Sequence, residues 1–194
     1  NLILQETEDI LFVSSGTGLS SGYFKNVGKT KRLGIDLTST FNMNNKNSVI
    51  KSLLLNYSLL RATFQSSQTL PAANHPNAEN DVEVGDIIPG MPLHKLNTKM
   101  VFSINNFLDL SLGNVSSSGV FLRGDESNQL KKTSPFSVFN AQAKYEPLAG
   151  MNFFIRVDNL LNSEYETMGV LGEASSSEVN VPISELGDIG SGET

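Results

Sequence analysis

The sequence predicts an all-β protein, an antiparallel up-and-down meander of about seven strands. Three observations carry that prediction. Apolar and polar residues alternate at period two through most of the chain, helical periodicity is nearly absent, and the connections between alternating segments are short and long in turn.

Asp9–Ser15 is the weakest candidate strand. The stretch SGTGLSSG after it resembles a phosphate loop only in its glycines; without the Lys-Ser/Thr ending or a following helix it reads as a surface loop. Thr30–Phe41 sets Leu33, Ile35, Leu37 and Phe41 against Arg32, Gly34, Asp36 and Thr38. Val49–Phe64 sets Leu53, Leu55, Tyr57 and Leu59 against Ser52, Asn56 and Ser58, with Leu54 and Leu60 blurring the pattern.

His94–Ile104 places Leu96, Met100, Phe102 and Ile104 opposite Asn97, Lys99 and Ser103, and Leu108–Leu122 opens with Leu108, Leu110 and Leu112 against Asp109, Ser111 and Gly113. Phe136–Glu146 alternates Phe139, Ala141, Ala143 and Tyr145 with Asn140, Gln142 and Lys144. In MNFFIRVDNLLNSEYE (151–166), Met151, Phe153, Ile155 and Val157 oppose Asn152, Phe154, Arg156 and Asp158. At helical spacing the charged pair would interrupt the apolar stripe, so this segment too is a strand.

NMNNKNS (42–48), NNF (105–107) and PLAG (147–150) are short connections rich in turn formers. Longer ones lie at 15–22, 65–93, 124–135 and from 169 onward. Short turns at one end and long loops at the other are the pattern of an outer-membrane barrel, whereas a soluble sandwich scatters loop lengths between both ends. Several segments exceed the ~9–11 residues with which a tilted strand crosses a membrane. Tyr57 and Tyr145 on apolar faces, and Phe41 and Phe136 near strand ends, fit aromatic girdles; ordinary β-propensity accounts for them equally well, and the lack of tryptophan counts against a girdle.

Of 194 residues, 39% are hydrophobic and 18% charged, with no cysteine. That excludes a disulfide scaffold and a cysteine zinc site. No run approaches the ~20 apolar residues of a membrane-spanning helix. The net charge of −6 and the lack of a basic stripe argue against nucleic acid.

Enzyme chemistry finds little footing. His75 and His94 are the only histidines, without metal-ligand spacing, and no nucleophile motif stands near them. HPNAENDVEVGD (75–86) gathers Glu79, Asp81, Glu83 and Asp86 with Asn77 and Asn80, yet lacks EF-hand spacing and reads as a solvated acidic loop rather than a calcium site. RGDES (123–127) reads as an ion pair at a loop base rather than an adhesion motif. In VDNLLN, Asn159 and Asn162 are expected to end a strand by bonding local backbone. The sequons at Asn56 and Asn114 fall on predicted strands. No catalytic, cofactor-binding, metal or ligand-binding residue is assigned, and no cofactor is implied.

NVGKTKRLGID (26–36), NYSLLRATFQ (56–65), IPGMPLHKLN (88–97), GVFLRGDESN (119–128) and VDNLLNSEYE (157–166) resemble, in order, segments of the TonB-dependent receptors of the outer membrane. The resemblance covers roughly residues 22–168 and implies a barrel of about 22 strands with a plugged lumen, of which this chain holds an arc of about seven from the carboxyl-terminal third. Residues 1–194 are then expected to be a partial barrel domain, with the plug, the TonB-interaction segment and the closing strand lying elsewhere.

The apolar set, including Leu33, Ile35, Leu53, Leu55, Met100, Phe102, Leu110, Phe139, Ala141, Phe153 and Ile155, would face lipid on the convex side. Arg32, Asp36, Asn56, Lys99, Asp109, Gln142, Arg156 and Asp158 would line the concave side. The family's members import scarce ligands (ferric siderophores, cobalamin, haem, some sugars) across the Gram-negative outer membrane, energised by the TonB complex through the plug. The implied partners are therefore outer-membrane lipid, a small ligand with a ferric siderophore as default, and TonB, with no nucleic acid. A passive porin or adhesive barrel, and a soluble all-β binding module, are the competing readings.

Overall fold

The computed structural model describes residues 1–14, 22–43, 48–71 and 79–171. The strands are β1 (Leu2–Ser14), β2 (Gly22–Asn42), β3 (Ile50–Phe64), β4 (Gln68–Pro71), β5 (Glu79–Val82), β6 (His94–Ser103), β7 (Leu108–Ser117), β8 (Phe136–Leu148) and β9 (Met151–Val157). Seven of them form one sheet in the order β1-β2-β3-β6-β7-β8-β9, and β4 pairs with β5 in a separate hairpin. Every pairing is antiparallel. The expected meander is present, with one small hairpin inserted between β3 and β6.

Turn chemistry ends the strands at the short-connection side. Between β6 and β7, Asn105 Oδ1 accepts the amides of Phe107 and Leu108 at 2.8 and 2.9 Å. Between β8 and β9, Gly150 takes φ +84°, which a side chain would resist.

Four boundaries differ from the sequence reading, each for a visible reason. β1 starts at Leu2 rather than Asp9, because Leu2 and Leu4 pair with Ile35 and Leu33 on the apolar face. β2 starts at Gly22, well before Thr30. The β1–β2 register shifts between Glu8 and Ile10, and opposite it Gly28 adopts φ +70° with its amide on Asn26 Oδ1 at 2.8 Å. That bulge breaks the alternation on which the sequence reading relied.

β7 stops at Ser117 rather than Leu122, since Val120 and Leu122 turn inward and are buried. β9 stops at Val157, where Asn159 and Asn162 take φ of 51° and 49°.

The buried core is not a layer between two sheets. Val27, Ala62, Phe64, Leu70, Val82 and Ile88 cluster where the β3–β6 connection folds back over the long-connection end of β2 and β3, with Met91 packed against them. Ala62 and Phe64 share a face with Asn56 and Ser58, so the connection lies across the polar side of the sheet. Residues 85–93 then run beside β3, with Ile88 N donating to Ala62 O at 3.0 Å and Leu60 N to Leu93 O at 2.9 Å, and lead into β6.

Candidate functional site

Directly paired residues of a sheet share a face, so the register fixes which side chains lie together. Leu4, Leu33 and Arg61 form one such row; Leu37, Tyr57 and Leu96 form another. Met100, Leu112, Ala141 and Val157 continue it across the second half of the sheet, as do Phe102, Leu110, Ala143 and Ile155. Each of the eleven residues expected on the apolar side lies on this one face, and each polar residue expected opposite, where it falls within a strand, lies on the other.

The apolar face is uncovered. Leu4 is 67% exposed, Leu37 54% and Ile155 68%, and the exposure extends from β1 to β9. Soluble monomers seldom leave apolar patches larger than a few hundred Å² open to water. Here the patch covers most of a sheet face, flanked by charged and polar groups at the long-connection end: the Glu6–Lys31 ion pair at 3.2 Å, then Arg61 and His94. Tyr57 Oη lies 2.8 Å from His94 Nδ1, with the rings stacked. This arrangement is suited to a hydrocarbon medium bounded by a polar one.

The polar face is a wall of hydrogen-bonded and charged side chains. Arg32 Nη1 donates to Thr7 Oγ1 and Thr30 Oγ1, both at 3.1 Å, and Ser58 Oγ donates to Asp36. Arg156 pairs with Asp158 at 2.8 Å and Lys144 with Glu146 at 3.1 Å. Lys51 is instructive. Simple alternation would group it with Leu53 on the apolar face, but the register shifts between Ile50 and Ser52, and its ammonium meets Asp109 Oδ1 at 3.3 Å. The irregularity removes a charge from the apolar face.

At the long-connection end, three connections are clasped together. Asn80 on β5 is fully buried; its Nδ2 donates to Gly124 O and to Glu126 Oε2 at 2.9 Å, and its Oδ1 accepts Ser127 Oγ at 2.9 Å. Asn128 receives the Ile87 amide at 2.6 Å and returns a bond to Ile87 O at 2.9 Å. Arg123 exchanges backbone bonds with Gly169 and Leu171 at 3.0 and 2.7 Å. Gly119 is packed so closely that an added Cβ would stand 1.9 Å from Thr133 O. Burial pushes the Glu126 carboxyl above the usual range; the Gly124 amide and its own backbone amide oppose this, neighbouring Asp125 adds to it, and Asn80 opposes it.

The residues singled out in the sequence fall as follows. In RGDES, Asp125 is fully buried and accepts the amides of Gln129 and Leu130 at 2.8 and 3.1 Å, while Arg123 is exposed. Four- and five-residue spacing suits a carboxylate to cap its own turn better than to reach back to Arg123. The acidic segment is partly a strand, β5, with Asp81 accepting Thr69 Oγ1 at 2.8 Å; His75 and Asn77 lie outside the described residues. Asn159 performs the expected local role, with Oδ1 accepting Ser163 N at 2.8 Å and Nδ2 donating to Ser163 O at 3.0 Å. SGTGLSSG lies outside the described residues except for Gly22. Sequence reasoning singled out the segments that hold Asn80 and Glu126 but missed the buried bond between the two.

The family model described as TonB dependent receptor-like, beta-barrel matches residues 2–160. No curated protein matches the sequence. Among solved structures, the siderophore receptor PiuA from Acinetobacter baumannii superposes with a TM-score of 0.62 at 17% identity, covering 86% of this chain and 22% of that one. The ferric yersiniabactin uptake receptor FyuA from Yersinia pestis superposes with a TM-score of 0.58 at 19% identity, covering 79% of this chain and 22% of that one. At these identities the likeness is one of fold, and the chain spans about a fifth of either receptor.

Proposed function

The chain belongs to the TonB dependent receptor-like β-barrel family, and from that premise we propose that it is part of the barrel of an outer-membrane receptor that imports a scarce ligand, a ferric siderophore by default, with energy supplied through TonB. Its strands form an arc of such a barrel, and the family is one of receptors rather than enzymes. The observation that carries the reading is the division of the sheet into an exposed, largely apolar face and a face that gathers charged and hydrogen-bonded side chains. The first suits lipid and the second a polar lumen, because a charge at mid-bilayer on the outside of a barrel costs about 2–4 kcal/mol. The clasped connections then lie at the mouth, where a ligand enters. On this reading residues 1–194 are a partial barrel domain, consistent with the 22% of each matched receptor that the chain spans.

The test is to express the whole receptor containing this segment in a Gram-negative host, fractionate the membranes, and feed iron as ferric siderophores under iron limitation. The expected result is outer-membrane recovery and iron-dependent growth that stops when TonB is inactivated. TonB-independent passage would make it a passive porin. Recovery in the soluble fraction would make it a soluble binding module.

A further inference from the structure

We propose that the apolar face carries a seat for one acyl chain of a phospholipid, a groove floored by Ala141 and Ala143 on β8. This rests on the outer-membrane reading above and adds one ordered lipid to it.

β8 presents Phe139, Ala141, Ala143 and Tyr145 to the apolar side. Among the described strands, these two are the only alanines on that face. Each is flanked by larger residues on both neighbouring strands, Ala141 by Leu112 and Val157 and Ala143 by Leu110 and Ile155. The missing bulk leaves a groove of about 400 Å³. It runs from Ile104, just beyond β6, past Phe102 and Leu110, over Ala143 and Ala141, to Val157 on β9. Ser111 and Gln142 also border it, but alternation carries their side chains to the polar wall. Both neighbours of β8 are in the sheet, and the groove opens away from the side that a plug would fill.

Direction and section identify the occupant. Val157 is level with Met100 through the register. From Ile104 the groove therefore climbs about four residues while crossing about three strand spacings, a diagonal of about 20 Å at about 45° to the strands. Strands of a membrane barrel tilt by about 35–45°. The sense of the tilt follows from the mouth-side boundary of the apolar face. Leu33 ends that face on β2, Leu59 on β3 stands opposite Ile35 instead, and Leu96 on β6 stands opposite Tyr57 instead of Leu59. The boundary falls from strand to strand, so the bilayer normal leans toward β9 as it rises to the mouth. The groove leans the same way.

Over its length the volume amounts to a section of about 20 Å², that of one extended hydrocarbon chain, whereas a helix about 10–12 Å across needs several times more. A chain lying on a flat sheet touches carbon on one side. In the groove it is touched on its flanks as well, and each added carbon pair contributes attraction. Ile104 adjoins the short 105–107 turn, so the head group lies on the periplasmic side.

The test reconstitutes the full-length receptor in vesicles of phosphatidylethanolamine and phosphatidylglycerol. The vesicles carry a trace of phosphatidylethanolamine with a photoreactive diazirine on one acyl chain. After illumination, labelled peptides are quantified along the apolar face. Labelling across 100–112 and 139–157 is expected to exceed that across 33–41 and 53–59 by about threefold or more, the gain from a few added carbon contacts. In the A141L/A143L receptor, which fills the groove with apolar bulk on an outward face, the excess should vanish with heat stability unchanged. Even labelling over the whole face overturns the inference, as does an excess that survives A141L/A143L. So does a deficit at the groove, which a second receptor copy seated there would produce. In each of those cases lipid still reaches 33–41 and the receptor reading stands; labelling of neither region would overturn both.

Discussion

Leu33 and Arg61 stand directly opposite each other across the β2–β3 seam, on the same apolar face. One seam further, Leu59 stands opposite His94. At these two seams the last apolar residue of one strand faces the first polar residue of the next, and the edge of the apolar surface steps along the register from β2 to β6. A plane cutting tilted strands produces such a step, because each neighbour meets the plane at a shifted position. From Leu33 to Phe41 the apolar surface runs about 27 Å along β2 at ~3.4 Å per residue. Tilt lowers that toward the ~25 Å apolar band of membrane barrels, or somewhat below it.

Depth along this band sets the first prediction. Ile35→Lys, inside the band, should destabilise the membrane-folded receptor by about 2–4 kcal/mol, and lysine at the Arg61 boundary by about 0–1 kcal/mol. Asn56→Lys on the polar wall should cost less than Ile35→Lys despite the same added charge. Reversible folding into lipid bilayers, followed by denaturant titration, measures all three. Equal costs at Ile35 and Asn56 would contradict the assignment of faces.

The faces were legible because alternation survives translation into register: a one-residue slip would have inverted a whole strand, and none of the long strands slipped. Legibility failed where alternation itself breaks. Gly28 and its bulge hid the first part of β2, and the acid-rich run Glu6–Asp9 masked the pairing of Leu2 and Leu4. The β4–β5 hairpin is four residues on each side, too short to show a period. Asn80 and Glu126 lie 46 residues apart and meet only through tertiary packing, so no local pattern announces them.

The clasp supplies the second prediction. Asn80→Ala removes donors from Gly124 O and Glu126 and an acceptor from Ser127, inside a fully buried site. Unsatisfied buried groups cost about 1–3 kcal/mol each, so the β4–β5 hairpin should detach locally before the barrel unfolds. Faster hydrogen exchange over 79–88 and 123–128, with the strand amides unchanged, is the expected signature. Uniform exchange across both regions would mean that Asn80 does not hold them together.

Glu126 gives a pH dependence of definite sign. Burial raises its folded value above the ordinary 4.5, so the folded protein binds this proton more tightly than the unfolded chain does. The associated stability is fully present below the unfolded value and is lost as pH rises through the folded one. Glu126→Gln removes the buried charge. It should therefore raise the melting temperature at neutral pH, and the gain should shrink to nothing below about pH 4. Thermal unfolding of the wild type and variant across that range decides it; a variant less stable at neutral pH would show that the charge is needed for the clasp.

Phe64 tests where the core lies. It is fully buried in the cluster that holds the β3–β6 connection against the sheet. Phe64→Ala should cost about 3–5 kcal/mol. Phe154→Ala, on a side chain that is 61% exposed on the polar wall, should cost far less. Denaturant midpoints of the two variants provide the comparison. A similar loss at both positions would mean that stability does not reside in the folded-back connection.

The last prediction concerns residues 1–194 expressed alone. In the sheet, β1 pairs only with β2 and β9 only with β8, so two edges present backbone groups without strand partners. In hydrocarbon such edges are not tolerated, and in water they template aggregation. The apolar face compounds the problem, because Leu4, Leu37, Phe153 and Ile155 are more than half exposed and no second layer covers them. The small cluster around Phe64 buries too little to offset a whole sheet face open to water. The isolated chain should therefore collect in inclusion bodies, elute as large aggregates in size-exclusion chromatography without detergent, and show no cooperative thermal transition. A detergent-free soluble monomer that melts cooperatively would mean that the apolar face is covered in some way other than by lipid, and the membrane assignment would have to be withdrawn.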